Sequence, residues 1–243
     1  MKDPLFIYLE EVTSTSLYLK NISNVKPLLN GSTVYTDFQT AGRGQKGNSW
    51  ESAGGENLMF STILYPIGLK ADRSFIVSQI ISLAIKDVLE QYTADISIKW
   101  PNDIYWKEKK ITGILIENDI MGDEVEKVIV GVGINLNQDA FISNAPNPVS
   151  LKQITGNSYL VKDILKQVLE RLMFYYEKLQ SPEVIKNQYK QSLFRKEGLH
   201  LFGDTDTTFL AEIHDVEDSG ILVLRLESGE IRKFGFKEIR YIL

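Results

Sequence analysis

The sequence predicts an α+β fold in two parts: a mixed-sheet domain over residues 1–191 and a small β-rich domain over residues 192–243. Three observations predict it. Apolar residues recur at helical spacing in two long stretches, residues 74–92 and 160–180. Around them lie runs of strand length rich in β-branched and aromatic residues. From about Ser192 the pattern shortens to closely spaced strand-like runs separated by turn signals, which is the pattern of a small barrel.

Each element follows from its own residues. The apolar run at 5–9 reads as a strand. Ser14, Thr15 and Ser16 precede LYLKNI, so hydroxyl side chains stand where a helix N-cap is needed. STVYTD at 32–37 and NLMFSTIL at 57–64 are strands, the second closed by Pro66. Ile76, Ile80, Ile81, Ala84, Ile85, Val88 and Leu89 line one face of a helix. A strand at 95–100 stops at Pro101, which has no N–H for the ladder. KITGILIE at 110–117 and EKVIVGVG at 126–133 form a strand pair about the turn at Gly122 and Asp123. Residues 138–147 are polar and proline-bounded, hence a loop. Val161, Ile164, Leu165, Val168, Leu169, Leu172, Tyr176 and Leu179 form the apolar stripe of the second long helix. Strands are predicted at 207–214, 221–227 and 231–236, separated by Asp218–Ser219–Gly220 and Ser228–Gly229–Glu230.

Composition removes several classes of function. With no cysteine there is no disulfide, no thiolate metal site and no thiol nucleophile. The two histidines, His200 and His214, lie in the β-rich tail, so a histidine triad or metal site is not expected. A net charge of −5 argues against a broad nucleic-acid footprint. The N-terminus MKDPLFIYLEEV lacks the apolar core of a secretory signal, and no stretch approaches the roughly 20 apolar residues of a membrane span. The default compartment is the cytoplasm.

Three segments carry chemistry. The first is QTAGRGQKGNSW at 39–50, where Gly42, Gly44 and Gly47 interleave with Arg43 and Lys46. Glycines let backbone N–H groups approach an anion closely, and Arg43 adds a permanent planar cation. The segment leads to another strand and lacks the G-K-[ST] ending, so it is neither a dinucleotide fingerprint nor a P-loop. It reads either as an anion-binding loop or as a hairpin loop with solvated charges. The second is Lys99-Trp100-Pro101-Asn102-Asp103, with Lys109 and Lys110 at the start of the next strand. A carboxylate and a lysine displayed at strand ends suit a site handling a carboxylate and a phosphate; the alternative is a surface ion pair at an edge turn. The third is Gly131-Val132-Gly133-Ile134-Asn135, where glycines inside an apolar strand mark either the close approach of a ligand or a packing bulge.

Taken together, in this order and spacing, the segments resemble the biotin–protein ligase family. The matching pieces are Ser14-Thr15-Ser16, the Gln39 to Trp50 loop, Lys99 to Asp103, Lys110-Ile111-x-Gly113-Ile114-Leu115-x-Glu117 and Gly131-x-Gly133-Ile134-Asn135. With the β-rich tail, the resemblance spans essentially the whole chain. It implies a catalytic domain of the biotin/lipoate ligase type, similar to class II aminoacyl-tRNA synthetases, followed by an SH3-like domain. It also implies an ATP-dependent, AMP-forming ligase that makes biotinyl-5′-AMP with Mg²⁺. The biotin would then pass to a lysine of a biotin carboxyl carrier protein of acetyl-CoA carboxylase or a related carboxylase.

The resemblance also assigns residues. Lys110 matches the lysine between the biotin carboxylate and the α-phosphate, and Arg43 a second cation there. Asp103 would orient or deprotonate the carrier lysine, or position the metal. Ser14, Thr15, Ser16 and Gln39 match the biotin pocket, with Gly113, Gly131 and Gly133 as its wall. Gly42, Gly44 and Asn102 match the ligand-facing loops, Trp50 the aromatic covering the intermediate, Asn135 a nucleotide-side position and Arg240 a phosphate contact. No dedicated protein metal ligands are expected. Gln45 and Asn48 replace arginines common in the family, with Lys46 between them, and no tryptophan near 146–151 matches the residue that stacks on adenine in some members. Repressor-type members carry a winged helix-turn-helix ahead of the catalytic domain. Here the Ser-Thr-Ser motif begins at residue 14, so no sequence-specific DNA binding is expected. The family is often dimeric, so a homodimer is a further expectation. The main rival is a lipoate– or octanoate–protein ligase; a non-catalytic binding module and a transcriptional regulator are others.

Overall fold

The computed structural model describes residues 3–44, 49–142 and 147–242. Its centre is a seven-stranded sheet built from β1 (Phe6–Val12), β2 (Thr33–Gln39), β3 (Leu58–Leu64), β4 (Ile96–Lys99), β5 (Asp103–Trp106), β6 (Lys109–Met121) and β7 (Glu124–Ile134). The strand order is β1-β2-β3-β7-β6-β5-β4, parallel only between β1 and β2. The two longest strands, β6 and β7, form a hairpin through Gly122, whose φ of +65 suits glycine. β3 is buried along its whole length, as its near-continuous apolar run requires.

Helix α1 (Thr15–Val25) packs through Leu19 against Val34, Ile63 and Ile129 on one face. The other face carries α2 (Phe75–Leu89) and α4 (Val161–Tyr176), with α5 (Pro182–Gln191) beside them. Nearly all of α2 is buried, because the sheet covers one side and α4 and α5 the other. The short α3 (Leu151–Thr155) is held by a capping box in which Ser150 and Gln153 satisfy each other's N–H groups.

Five antiparallel strands make the second sheet: β8 (His200–Gly203), β9 (Thr208–Val216), β10 (Leu222–Leu226), β11 (Ile231–Phe234) and β12 (Arg240–Tyr241), in the order β11-β10-β9-β8-β12. This small antiparallel sheet agrees with the SH3-like unit expected at the C-terminal end. One continuous cluster of buried hydrophobics joins the two sheets. The indole N–H of Trp100 donates to the Gly220 carbonyl at 3.0 Å, and Phe75 meets both Tyr189 and Phe236. Gly220 has a φ of +90, and a Cβ there would lie 2.7 Å from the Phe75 ring. The chain also crosses between units by hydrogen bonds, with the Ile98 N–H donating to Ser192 O and the Phe194 N–H to Ile98 O.

The expected long elements are present, and the structure adds β5, β8, β12, α3 and α5. One local expectation is corrected. Ser14 occupies the N-cap of α1 with extended φ/ψ, but its side chain makes no capping bond. The Thr15 N–H donates instead to Oε1 of Gln39, 24 residues away, at 2.8 Å. Among the described residues no helix is long and apolar enough to cross a membrane.

Candidate functional site

A cavity of about 460 Å³ opens over the β6–β7 hairpin and is closed on one side by the C-terminal segment. It runs along β6 from Leu115 to Lys110, five residue steps or about 16 Å of extended chain. Its two ends differ in chemistry.

The inner end is polar but uncharged. Gln39 Oε1 accepts from both the N–H and the hydroxyl of Thr15, and the hydroxyls of Thr15 and Ser16 each lie 2.8 Å from that of Ser61. Ser16 rests on Gly131, where a Cβ would come within 2.5 Å of its hydroxyl. Such a network of neutral donors and acceptors suits a compact neutral head group with its own N–H and C=O. Ser61 was not singled out in the sequence. Its signal was a hydroxyl residue inside the fully buried run LMFSTIL.

The middle is aromatic on glycine. Gly113 and Gly133 are register partners on β6 and β7, and the indole of Trp50 lies on both. A Cβ at Gly113 would fall 2.6 Å from that ring, and one at Gly133 would overlap it. Trp50 is placed by its N–H bond to Gly42 O and by the bridge between Arg43 and Ser49; its buried indole N–H has no partner among the described residues.

The outer end is charged. The β4–β5 hairpin turns through Trp100, Pro101 and Asn102, with the Trp100–Pro101 peptide cis, and pairs Lys99 with Asp103. Lys110, at the start of β6, donates to Asp103 at 2.7 Å, with both side chains about a quarter exposed. Arg43 is not brought to this end as expected: it forms two bonds, at 3.2 and 2.7 Å, to the carboxylate of Glu117, which lies on β6 beyond Leu115 and seven residues from Lys110. Lys237, Ile239, Arg240 and Tyr241 supply the wall from the second sheet.

Of the residues singled out from the sequence, Ser14, Thr15, Ser16, Gln39, Arg43, Gly44, Trp50, Asp103, Lys110, Gly113, Gly131, Gly133 and Arg240 line this one cavity. Three others do not. Gly42 lies behind Trp50, where a Cβ would approach the Trp50 carbonyl to 2.6 Å. Asn102 is buried in the hairpin turn with its Oδ1 unpartnered among the described residues. Asn135 points away from the cavity and donates to the Val149 carbonyl at 3.2 Å. Its backbone meanwhile accepts from Leu151 N–H. Asn135 therefore braces the 147–151 segment that pairs beside Lys110, with Lys110 N–H donating to Asn147 O and Val149 N–H to Lys110 O. Gln45, Lys46, Gly47 and Asn48, and the Pro146 end of the segment considered for adenine stacking, lie outside the described residues. His200 Nε2–H donates to the Glu197 carbonyl at 2.8 Å, and His200 does not line the cavity.

Comparisons with known proteins point to one family. Residues 7–135 match the biotin/lipoate A/B protein ligase family. A biotin–[acetyl-CoA-carboxylase] ligase of Paracoccus denitrificans is 31% identical, the alignment covering 84% of this chain and 88% of that protein. The bifunctional ligase/repressor BirA of Bacillus spizizenii is 28% identical over 92% of this chain and 70% of its own length. A structure of the Aquifex aeolicus biotin protein ligase in complex with biotin and ATP superposes with a TM-score of 0.79 at 27% identity, covering 98% of this chain and 99% of that one.

Proposed function

Because the chain belongs to the biotin/lipoate A/B protein ligase family, we propose that it activates biotin with ATP and transfers it to a lysine of a biotin carboxyl carrier protein. One observation carries the reading. A single cavity runs from a neutral hydrogen-bonding end, past an aromatic on a glycine floor, to a Lys110–Asp103 pair at 2.7 Å.

A ureido ring, neutral with N–H and C=O groups, meets Gln39 and the hydroxyls of Thr15 and Ser16, which Ser61 holds from behind the cavity wall. The apolar ring and chain take the glycine floor of Gly113 and Gly133 when the Trp50 ring, which rests on it here, moves aside to cover them. In this reading the carboxylate lies at Lys110. One of its oxygens attacks the α-phosphorus of ATP, the bond to the β-phosphate oxygen breaks, and pyrophosphate leaves with the electron pair. The difficulty is bringing one anion against another. Lys110 offsets that repulsion at close range in a partly water-excluded site, where such a charge counts for more than in bulk water. Mg²⁺ enters with the ATP phosphates as part of the substrate. The carrier lysine then attacks the acyl carbon, AMP leaves, and Asp103, reachable from solvent, takes or orients the amine proton. In this reading residues 1–191 hold biotin and ATP, residues 192–243 close the cavity, and the reaction takes place in the cytoplasm.

The test is incubation of the protein with ATP, Mg²⁺, labelled biotin and a purified carrier domain. The expected products are label on the carrier lysine, AMP and pyrophosphate. Modification of the carrier by lipoate or octanoate, with none by biotin, would overturn the assignment.

A further inference from the structure

The ligase reading leaves one half-buried charge of the cavity unused. Lys99 ends β4 and lines the outer end. Its ammonium donates to the Tyr105 hydroxyl at 3.0 Å and lies 4.8 Å from the Tyr105 ring centre and 5.3 Å from that of Tyr241. Among the described residues no carboxylate lies within 4.0 Å of it, since Asp103, its register partner, is engaged by Lys110. Burial pushes the Lys99 pKa down, Asp103 pulls it up, and Lys110 and Arg195 push it down again.

Taking an ammonium out of water without an anion costs free energy, which two aromatic faces offset only in part. A methyl-terminated side chain would fill the same place without that cost. An uncompensated cation in a cavity wall is therefore placed for an anion that arrives from outside. The other cations set which anion. Arg43 is committed to Glu117 and Lys110 to Asp103, so these pairs are close to neutral before substrate enters. Lys99 lies on β4, two strands beyond β6 in the order β6-β5-β4 and so about 10 Å further across the sheet from the glycine floor. Tyr241 and Arg240, from the second sheet, stand at the same end.

We propose that Lys99, clamped between Tyr105 and Tyr241, is a substrate-contacting cation that binds the β- and γ-phosphates of ATP and stabilises the departing pyrophosphate. This rests on the ligase reading and deepens it. As the bond from the α-phosphorus to the bridging oxygen breaks, the electron pair passes to the pyrophosphate, and the Lys99 ammonium meets the charge that accumulates there. No proton need move. The clamp also gives the C-terminal sheet a part in adenylation, through the ring of Tyr241. The Tyr241 hydroxyl is buried without a partner among the described residues, so the ring and not the hydroxyl carries the effect.

The two half-reactions separate the proposal from its rivals, because only the first involves pyrophosphate. For Lys99→Met, single-turnover pyrophosphate release and the reverse reaction of purified biotinyl-5′-AMP with pyrophosphate are expected to fall about 100-fold. Transfer from purified biotinyl-5′-AMP to the carrier lysine is expected to fall far less, and Lys99→Arg should recover part of the loss. A merely structural role would depress both halves alike. Equal losses in the two halves, or no loss in the first, would overturn the proposal. Should Lys99→Met fail to fold, Tyr241→Leu against Tyr241→Phe carries the same test: only the leucine variant should selectively slow adenylation, and equal behaviour of the two refutes it. If the unmodified protein makes no biotinyl-5′-AMP, it is the ligase reading that fails.

Discussion

Replacing Lys110 with methionine removes the charge and keeps the aliphatic stem. Two unit charges about 4 Å apart near a protein surface interact by about 4 kcal/mol at an effective dielectric of 20. Lys110 is already bonded to Asp103 with both side chains about a quarter exposed. Exchange of that partner for substrate therefore removes about 1 kcal/mol from the gain. The remainder, about 3 kcal/mol, corresponds to a slowing of adenylate formation by about 10²–10³-fold. The fold should tolerate the change, because a partly exposed ion pair contributes about 1 kcal/mol at most, or about 2–4 °C in Tm for a chain of this size. The assay is quenched-flow release of pyrophosphate at saturating biotin and ATP, beside a thermal melt. A folded Lys110→Met protein releasing pyrophosphate within tenfold of the parent rate would refute the electrostatic role of Lys110 drawn from this pair.

Three other outcomes follow from particular contacts. Asp103→Asn keeps the shape and removes the base. Transfer to the carrier lysine, measured from purified biotinyl-5′-AMP, should fall about 10²-fold or more, with adenylation much less affected; an equal fall in both would instead indicate a role with the metal and phosphates. Gly131→Ala forces Ser16 off its contact with Ser61, since the new Cβ would lie 2.5 Å from the Ser16 hydroxyl. The loss of about 1–1.5 kcal/mol in hydrogen bonding predicts a KM for biotin about tenfold higher. A steady-state titration giving a changed kcat at normal KM would contradict that placement. Trp100→Phe deletes the buried bond to the Gly220 carbonyl and leaves that acceptor unpaired, so urea unfolding should show a loss of about 1–3 kcal/mol. A midpoint and slope equal to the parent's would show that Trp100 does not tie the two sheets together.

The sequence by itself determined the frame and the chemistry of the cavity. The helical stripe of α4 buries one face and the near-continuous apolar run of β7 is buried on both, and the pattern of the residues reports each directly. The cations suited to offset two anions, Arg43 and Lys110, and a carboxylate suited to take an amine proton, Asp103, were legible as residue types, because few side chains can do that work. The tertiary structure alone decided which group meets which. β5, β8 and β12 are two to four residues long and exist because neighbours supply their ladder partners, so no local period marks them. Gln39 serving the Thr15 N–H, Glu117 holding Arg43, and Asn135 bracing the 147–151 segment each join residues distant in sequence or displaced from the cavity. Tyr241 reaching across from the second sheet to Lys99 is the same kind of fact. Each such pairing is worth about 1 kcal/mol, too little to be specified by its own residues. It is settled by strand register and by the packing of Phe75, Trp100 and Phe236 between the sheets, where the much larger free energy of burial is spent.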